Sequence, residues 1–174
     1  MYPARHRCGY CVGVDTMHSV CRCYYCQNVL LATMQLPQDV ALKFAWIRLY
    51  GDRAIISGHC GLSDDGRIAQ PLGKLGADLS IEQGYAAERM TALSVLASLE
   101  KAFGDLDQVQ CWLRAFGMIN AKPTYDRHPA VLEGFSDLII DLYGRERAEH
   151  ARSAVGMTSL PFNIAVEVEA ECRQ

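Results

Sequence analysis

Nowhere among its 174 residues does the chain hold an apolar stretch approaching the roughly 18 residues that cross a bilayer, so no membrane span is read. Basic runs are also missing. None exceeds two residues and the formal net charge is −3, which leaves a weak electrostatic case for nucleic acid. The N-terminus lacks a charged region followed by an apolar stretch and a small-residue cleavage site, so no signal peptide is read and a cytoplasmic setting is expected. The first 35 residues have no lysine and a single acid, Asp15. They show neither a helical nor an alternating period, and are read as an extension, with Met17 and Met34 as alternative starts.

Half of the residues are apolar and 21% are charged, a globular balance, and the length suits one domain around one core. Five of the eight cysteines crowd the extension: Cys8, Cys11, Cys21, Cys23 and Cys26. Cys8-x2-Cys11 and Cys23-x2-Cys26 have the shape of a structural zinc site, with His6 and His18 as further ligand candidates. The spacer is shorter than the common span of about 15–20 residues, so the alternative is a leader that holds no metal. Cys60, Cys111 and Cys172 are spread through strand-like segments and read as small buried hydrophobes in a reducing compartment.

Regular pattern starts at residue 36, which opens a domain over 36–174. "FAWIRLYGDRAIISG" places two short apolar runs about Tyr50-Gly51-Asp52, a hairpin signal. "LSDDGRIA" offers an Asp-Gly turn before another short strand. "SIEQGYAAERMTALSVLASLEKAFG" predicts a helix: Ser80 caps it, Gln83 completes a capping box, and Gly104 stops it. Ile81, Tyr85, Met90, Leu93, Leu96 and Ala97 fall near one face. "QVQCWLRAFGMIN" reads as a strand. "HPAVLEGFSDLIIDLYG" reads as a second helix, with Val131, Phe135, Leu138, Ile139 and Leu142 inward. The order is strands, helix, strand, helix, strands, and it predicts an α+β domain with both helices on one face of a single sheet.

The chain closes on "HARSAVGMTSLPFNIAVEVEAE". Glu167, Glu169 and Glu171 alternate with Val166, Val168 and Ala170, so three carboxylates share one strand face. A turn near Leu160-Pro161 predicts a terminal hairpin in which Arg152 and Glu167 lie opposite each other. Two readings stay open. One is a cross-strand ion pair on a wet face. The other is a carboxylate clamp beside a candidate base, sheltered at a subunit seam.

"SGHCG", "GADLSIEQGYAAERMTALSVLASLEKAFGDLDQV", "EGFSDLIIDLYG" and the closing segment together resemble the Rid family (reactive intermediate deaminase, YjgF-like), in order, over about residues 36–172. The resemblance implies a chorismate mutase-like fold and a homotrimer with a cleft at each subunit interface. It implies hydrolysis of small 2-imino or enamine acids to 2-oxo acids and ammonia, without a cofactor. By the same resemblance Arg152 holds the substrate carboxylate, Glu167 works on the attacking water, and Ser57 and Gly58 line the pocket floor. Three neighbours depart from the family pattern. Phe44 stands in place of a pocket tyrosine, Ala154 in place of a cysteine, and Glu133 in place of an asparagine. A carboxylate at 133 could neutralise Arg152 or favour an amine-bearing ligand. A non-catalytic trimer that binds a small metabolite or a protein partner is therefore the alternative function.

Other signals weigh less. His59 follows "SG" and reads as either a group at the pocket mouth or a solvated histidine at a loop edge. His150 falls on the same strand face as Arg152 and is read as surface. Trp46 and Trp112 have no basic groove beside them, so they read as packing residues and not as nucleotide platforms.

Overall fold

Gly51, at φ +60°, turns the chain between β1 (Ile47–Tyr50) and β2 (Arg53–His59), the first hairpin. The computed structural model describes residues 42–174. Every expectation for residues 1–35 therefore lies outside the described residues, the zinc site at Cys8, Cys11, Cys23 and Cys26 included. After β2 the Asp-Gly turn forms, but it closes on a single bridge, Leu62 to Ile68, and not on a full strand.

Helix α1 (Ile81–Phe103) begins as its capping box dictates. The Ser80 hydroxyl accepts from the Gln83 amide at 3.3 Å, and the Gln83 side chain accepts from the Ser80 amide at 2.9 Å. Gly104 ends it in the left-handed region and donates its amide to the Glu100 carbonyl at 2.7 Å. Strand β3 (Cys111–Asn120), helix α2 (His128–Tyr143), the short helix α3 (Arg145–Ala148), β4 (Ala151–Met157) and β5 (Val166–Arg173) complete the chain. The sheet order is β1-β2-β5-β3-β4. Only β3 and β4 pair in parallel, joined by the α2 crossover.

The expected terminal hairpin does not form. β5 pairs with β2 and β3, while β4 pairs only with β3, so β3 separates the two final strands. The reason lies in the row that each strand turns toward the helices. β5 offers Val166, Val168, Ala170 and Cys172, all buried, and takes a central slot. β4 carries Arg152, Ala154 and Gly156 on that row and takes the edge. The connection between them crosses the end of β3 through a 3-10 turn, Pro161–Asn163, with Phe162 at φ 55° and Asn163 at φ 59°.

The register has a direct consequence. Arg152 pairs with Ala115, and Ala115 pairs with Ala170. Glu167 pairs with Met118. Residues paired across neighbouring strands point to the same side of a sheet, and successive residues alternate. Arg152 therefore shares the helix-covered face with Ala170. Glu167, Glu169 and Glu171 share the open one.

The inward face of α1 also differs from the expected one. Leu96 and Ala97 are buried as predicted, but the rest of the buried row is Gly84, Glu88, Thr91, Ala92, Ser94, Val95 and Leu99. Ile81, Tyr85, Met90 and Leu93 are only partly covered. The helix packs on α2 as well as on the sheet, and that second contact rotates its apolar stripe. Gly134 permits the contact: a Cβ there would lie 2.1 Å from the Tyr85 carbonyl oxygen. The inward residues of α2 are those expected, with Val131, Phe135, Leu138 and Ile139 buried and Leu142 partly so. Phe135 packs edge-on against Trp112 at 5.9 Å, and truncating such a side chain costs about 3–5 kcal/mol. Cys60 and Cys172 are buried and Cys111 is partly buried, all three as free thiols.

Candidate active site

Arg152 sits near the start of the edge strand β4, on the helix side. Helix α2 turns two polar residues toward it, one turn apart: the partly exposed Glu133 and the buried Ser136. The guanidinium meets Glu133 in a fork, with Nη2 to Oε1 at 2.5 Å and Nη1 to Oε2 at 3.2 Å. Nη1 also donates to the Ser136 hydroxyl at 2.9 Å. The arginine side chain is 26% exposed and that of Glu133 is 46% exposed.

His150 extends this cluster and is not the surface residue expected. Its Nδ1 lies 2.6 Å from the Ala148 carbonyl, which can only accept, so Nδ1 carries the proton. Nε2, 3.2 Å from the Ser136 hydroxyl, is then the acceptor. Burial holds the imidazole pKa below its usual range, with the Arg152 charge acting in the same direction and the Ala148 carbonyl opposing. The chain of bonds runs from Arg152 through Ser136 to His150 and fixes the guanidinium plane from behind.

Glu88 lies deeper in the α1–α2 seam. It is fully buried, and neither carboxylate oxygen has a hydrogen-bond partner among the described residues. Burial raises its pKa well above the usual carboxylate range, against the pull of the Arg152 charge. Sequence reading missed it. The signal was available in the helical phase: Glu88 is four residues from Gly84 and four from Ala92, both buried.

The second cluster occupies the open face where β2 meets β5. The Glu167 carboxylate lies over Gly58, where an added Cβ would come 2.0 Å from its Oε1. Glycine is required for that approach. Burial raises the Glu167 pKa, and the neighbouring Glu169 charge adds to the rise. Ser57 is tied down through its hydroxyl, which donates to the Ala45 carbonyl at 2.7 Å. Phe44 is 52% exposed and meets Trp46 edge-on at 5.0 Å. Further along β5, Glu171 is ion-paired with Arg53. The acidic row is thus three glutamates in different settings: one over a glycine, one exposed, one paired.

His59 joins neither cluster. It is the last residue of β2, pairs with Val168 on the helix side, and is 5% exposed, so it is not a solvated loop-edge histidine. Ala154 packs against the apolar core between the helices and β4. Arg152 and Glu133 are brought into contact, and Gly58 and Glu167 are brought into contact. Within one chain Arg152 and Glu167 are not brought together, because they lie on opposite faces of the sheet. Among the described residues no group of three metal-ligating side chains occurs, and no helix is long and apolar enough to cross a membrane.

Residues 28–170 match the model of a family described as "YjgF/chorismate_mutase-like, putative endoribonuclease". Protein TCP17 of Trypanosoma cruzi is 43% identical over 115 residues, which cover 66% of this chain and 71% of that protein. Among solved structures, Atu1372 of Agrobacterium tumefaciens, a protein of unknown function, superposes with a TM-score of 0.72 at 31% identity, covering 76% of this chain and 83% of its own. A Shewanella oneidensis protein bearing the same endoribonuclease label gives a TM-score of 0.71 at 28% identity, over 80% of this chain and 92% of its own.

Proposed function

Because the chain belongs to the YjgF/chorismate mutase-like family, we propose that it hydrolyses small 2-imino or enamine acids to 2-oxo acids and ammonia, in a cleft completed by a neighbouring copy of itself. The observation that carries this reading is the Arg152 fork. The guanidinium stands at an open sheet edge, braced by Ser136, and already holds a carboxylate in two-bond geometry. That carboxylate belongs to Glu133, whose side chain is nearly half exposed. A substrate carboxylate binds by exchange with it.

Glu167 is the base. Water adds its oxygen to the imine carbon while Glu167 takes one of its protons, giving a carbinolamine. Glu167 returns that proton to the nitrogen, the carbon–nitrogen bond breaks as the hydroxyl proton passes back to Glu167, and ammonia leaves as the carbonyl forms. A carboxylate raised toward neutrality suits that work near pH 7. The opposite facing of Arg152 and Glu167 supports a shared cleft, because the two side chains converge only across a subunit boundary. The trimer implied by the sequence resemblance supplies such a boundary. A net charge of −3 and the carboxylates of the open face argue against RNA as the ligand.

The test is ammonia release from imines generated in situ by an amino-acid oxidase, with wild type and Arg152→Ala side by side. Wild type exceeds background, and the variant loses about 100-fold in kcat/KM, the loss expected when a charge-assisted fork is removed. Equal rates at background level remove the enzyme reading. A second reading is a binding module without turnover, favoured by the occupancy of the fork by Glu133. Carboxylate bound on Arg152 in a ligand soak, with no ammonia released, supports it.

A further inference from the structure

A cavity of about 390 Å3 opens beneath the β1–β2 hairpin, against the last turns of α1, with Trp46, His59, Cys60, Ser94, Ser98 and Lys101 in its walls. None of the Arg152 cluster or Glu167 lines it. Three hydroxyls lie along this side of α1. Two bond in the way usual for hydroxyls inside helices, to the carbonyl four residues back: Thr91 to Ala87 at 2.9 Å, and Ser94 to Met90 at 3.2 Å. Ser98 instead meets His59 Nε2 at 2.8 Å.

The direction of that bond follows from the other ring nitrogen. His59 Nδ1 is 2.6 Å from the Ser57 carbonyl, which can only accept, so Nδ1 holds the proton. Nε2 is then a lone pair, and the Ser98 hydroxyl donates to it. A nucleophile, a base and a group that orients the base are aligned at hydrogen-bond distances. Burial depresses the His59 pKa, which keeps the imidazole in its neutral, proton-accepting form. The Trp46 ring stands edge-on to His59 at 5.0 Å and holds it in place. Lys101 follows Ser98 by three residues, one turn along the same helix face, and its exposed side chain forms part of the cavity wall. Cys60 is not a competing nucleophile, since burial and the nearby Glu167 push its thiol up to about 11.

We infer that Ser98 and His59 form a nucleophile–base pair, and that this cavity, whose walls also include Ile47, Leu62 and Ala102, takes small esters with a short apolar acyl group, which acylate Ser98. In the first step Ser98 Oγ bonds to the ester carbonyl carbon and its proton passes to His59 Nε2. The carbon–oxygen bond to the alcohol breaks, and the alcohol leaves with the proton from His59. In the second step water attacks the acyl-serine, His59 takes the water proton and returns it to Ser98 Oγ, and the carboxylic acid departs. Lys101, in the cavity wall, is a cation available to the negative charge that develops on the carbonyl oxygen.

The experiment uses the full chain and p-nitrophenyl acetate, following nitrophenolate release and the acetylated peptide by mass spectrometry. Wild type gives release above buffer and an acetyl group on Ser98. Ser98→Ala loses both, and Ser63→Ala, in an exposed turn, loses neither. His59→Gln slows acylation by about 100-fold. Because His59 is buried and this variant could fail to fold, Ser98→Cys provides the second arm: a thiol at the same position is acetylated while alanine is not. No acetyl group on Ser98 in wild type, or release unchanged in Ser98→Ala, overturns the inference.

Discussion

Two regions of the molecule hold a glutamate beside a candidate ligand site, and they treat it in opposite ways. At the β4–α2 edge, Glu133 is fully engaged with Arg152, which is braced in turn by Ser136 and His150. On the open face, no cation among the described residues pairs with Glu167, which lies over bare glycine backbone, its pKa raised by burial. The first region is closed electrostatically, the second poised. The difference shows that a carboxylate's role is set by its surroundings and not by its residue type. Glu88 extends the lesson, since it lies in the seam behind the edge cluster, within the field of Arg152, and still has no partner.

Removing Arg152 is the strongest disruption of this contrast for activity, at about 100-fold. For stability the largest effect is expected at Glu88. Its folded pKa is raised, so the folded state keeps a proton that the unfolded state gives up above the ordinary carboxylate range. Stability from this group is fully present below that range and falls as pH rises, by up to about 1.4 kcal/mol per pH unit. Urea unfolding of wild type and Glu88→Gln at pH 5 and pH 8 reads this directly: the advantage of the variant grows with pH. Parallel pH dependences would mean that Glu88 is ionised and paired after all.

Gly134→Ala attacks the seam itself. The added methyl meets Tyr85 backbone, which cannot step aside, and a loss of about 1–3 kcal/mol is expected from thermal unfolding. Glu133→Asn opens the closed region. Calorimetry with a small 2-oxo acid should give about tenfold tighter binding than wild type, because the fork no longer has an internal competitor. Unchanged affinity would show that Glu133 does not compete. Gly58→Ala tests the poised region, where the added methyl meets the far end of the Glu167 side chain. Stability should shift by less than about 1 kcal/mol, while ammonia release falls as the base is displaced. If both measurements are unchanged, Glu167 is not the group that works on water.

Much of this was legible in the chain. The Ser80–Gln83 box and Gly104 bound α1, and the inward apolar residues of α2 follow from its period, because caps and periods are local. The contact of Glu133 with Arg152 was anticipated from the departure at 133. Glu88 escaped because α1 was phased by its largest apolar residues, whereas the helix–helix seam selected the small ones around Gly84 and Gly134. His150 is not at the surface and the solvated alternative for His59 fails for a related reason: each meets a serine on a helix, Ser136 and Ser98, and no local spacing reveals such a partner.

By itself the sequence determined where the two long helices run and stop, and which residues alternate along β5. These depend on interactions a few residues apart. Only tertiary structure decided that β5 enters the middle of the sheet while β4 stays at its edge. That choice turns on which strand gains more from burial between two neighbours. It put Arg152 and Glu167 on opposite faces, where the alternation of either strand alone could not reveal it.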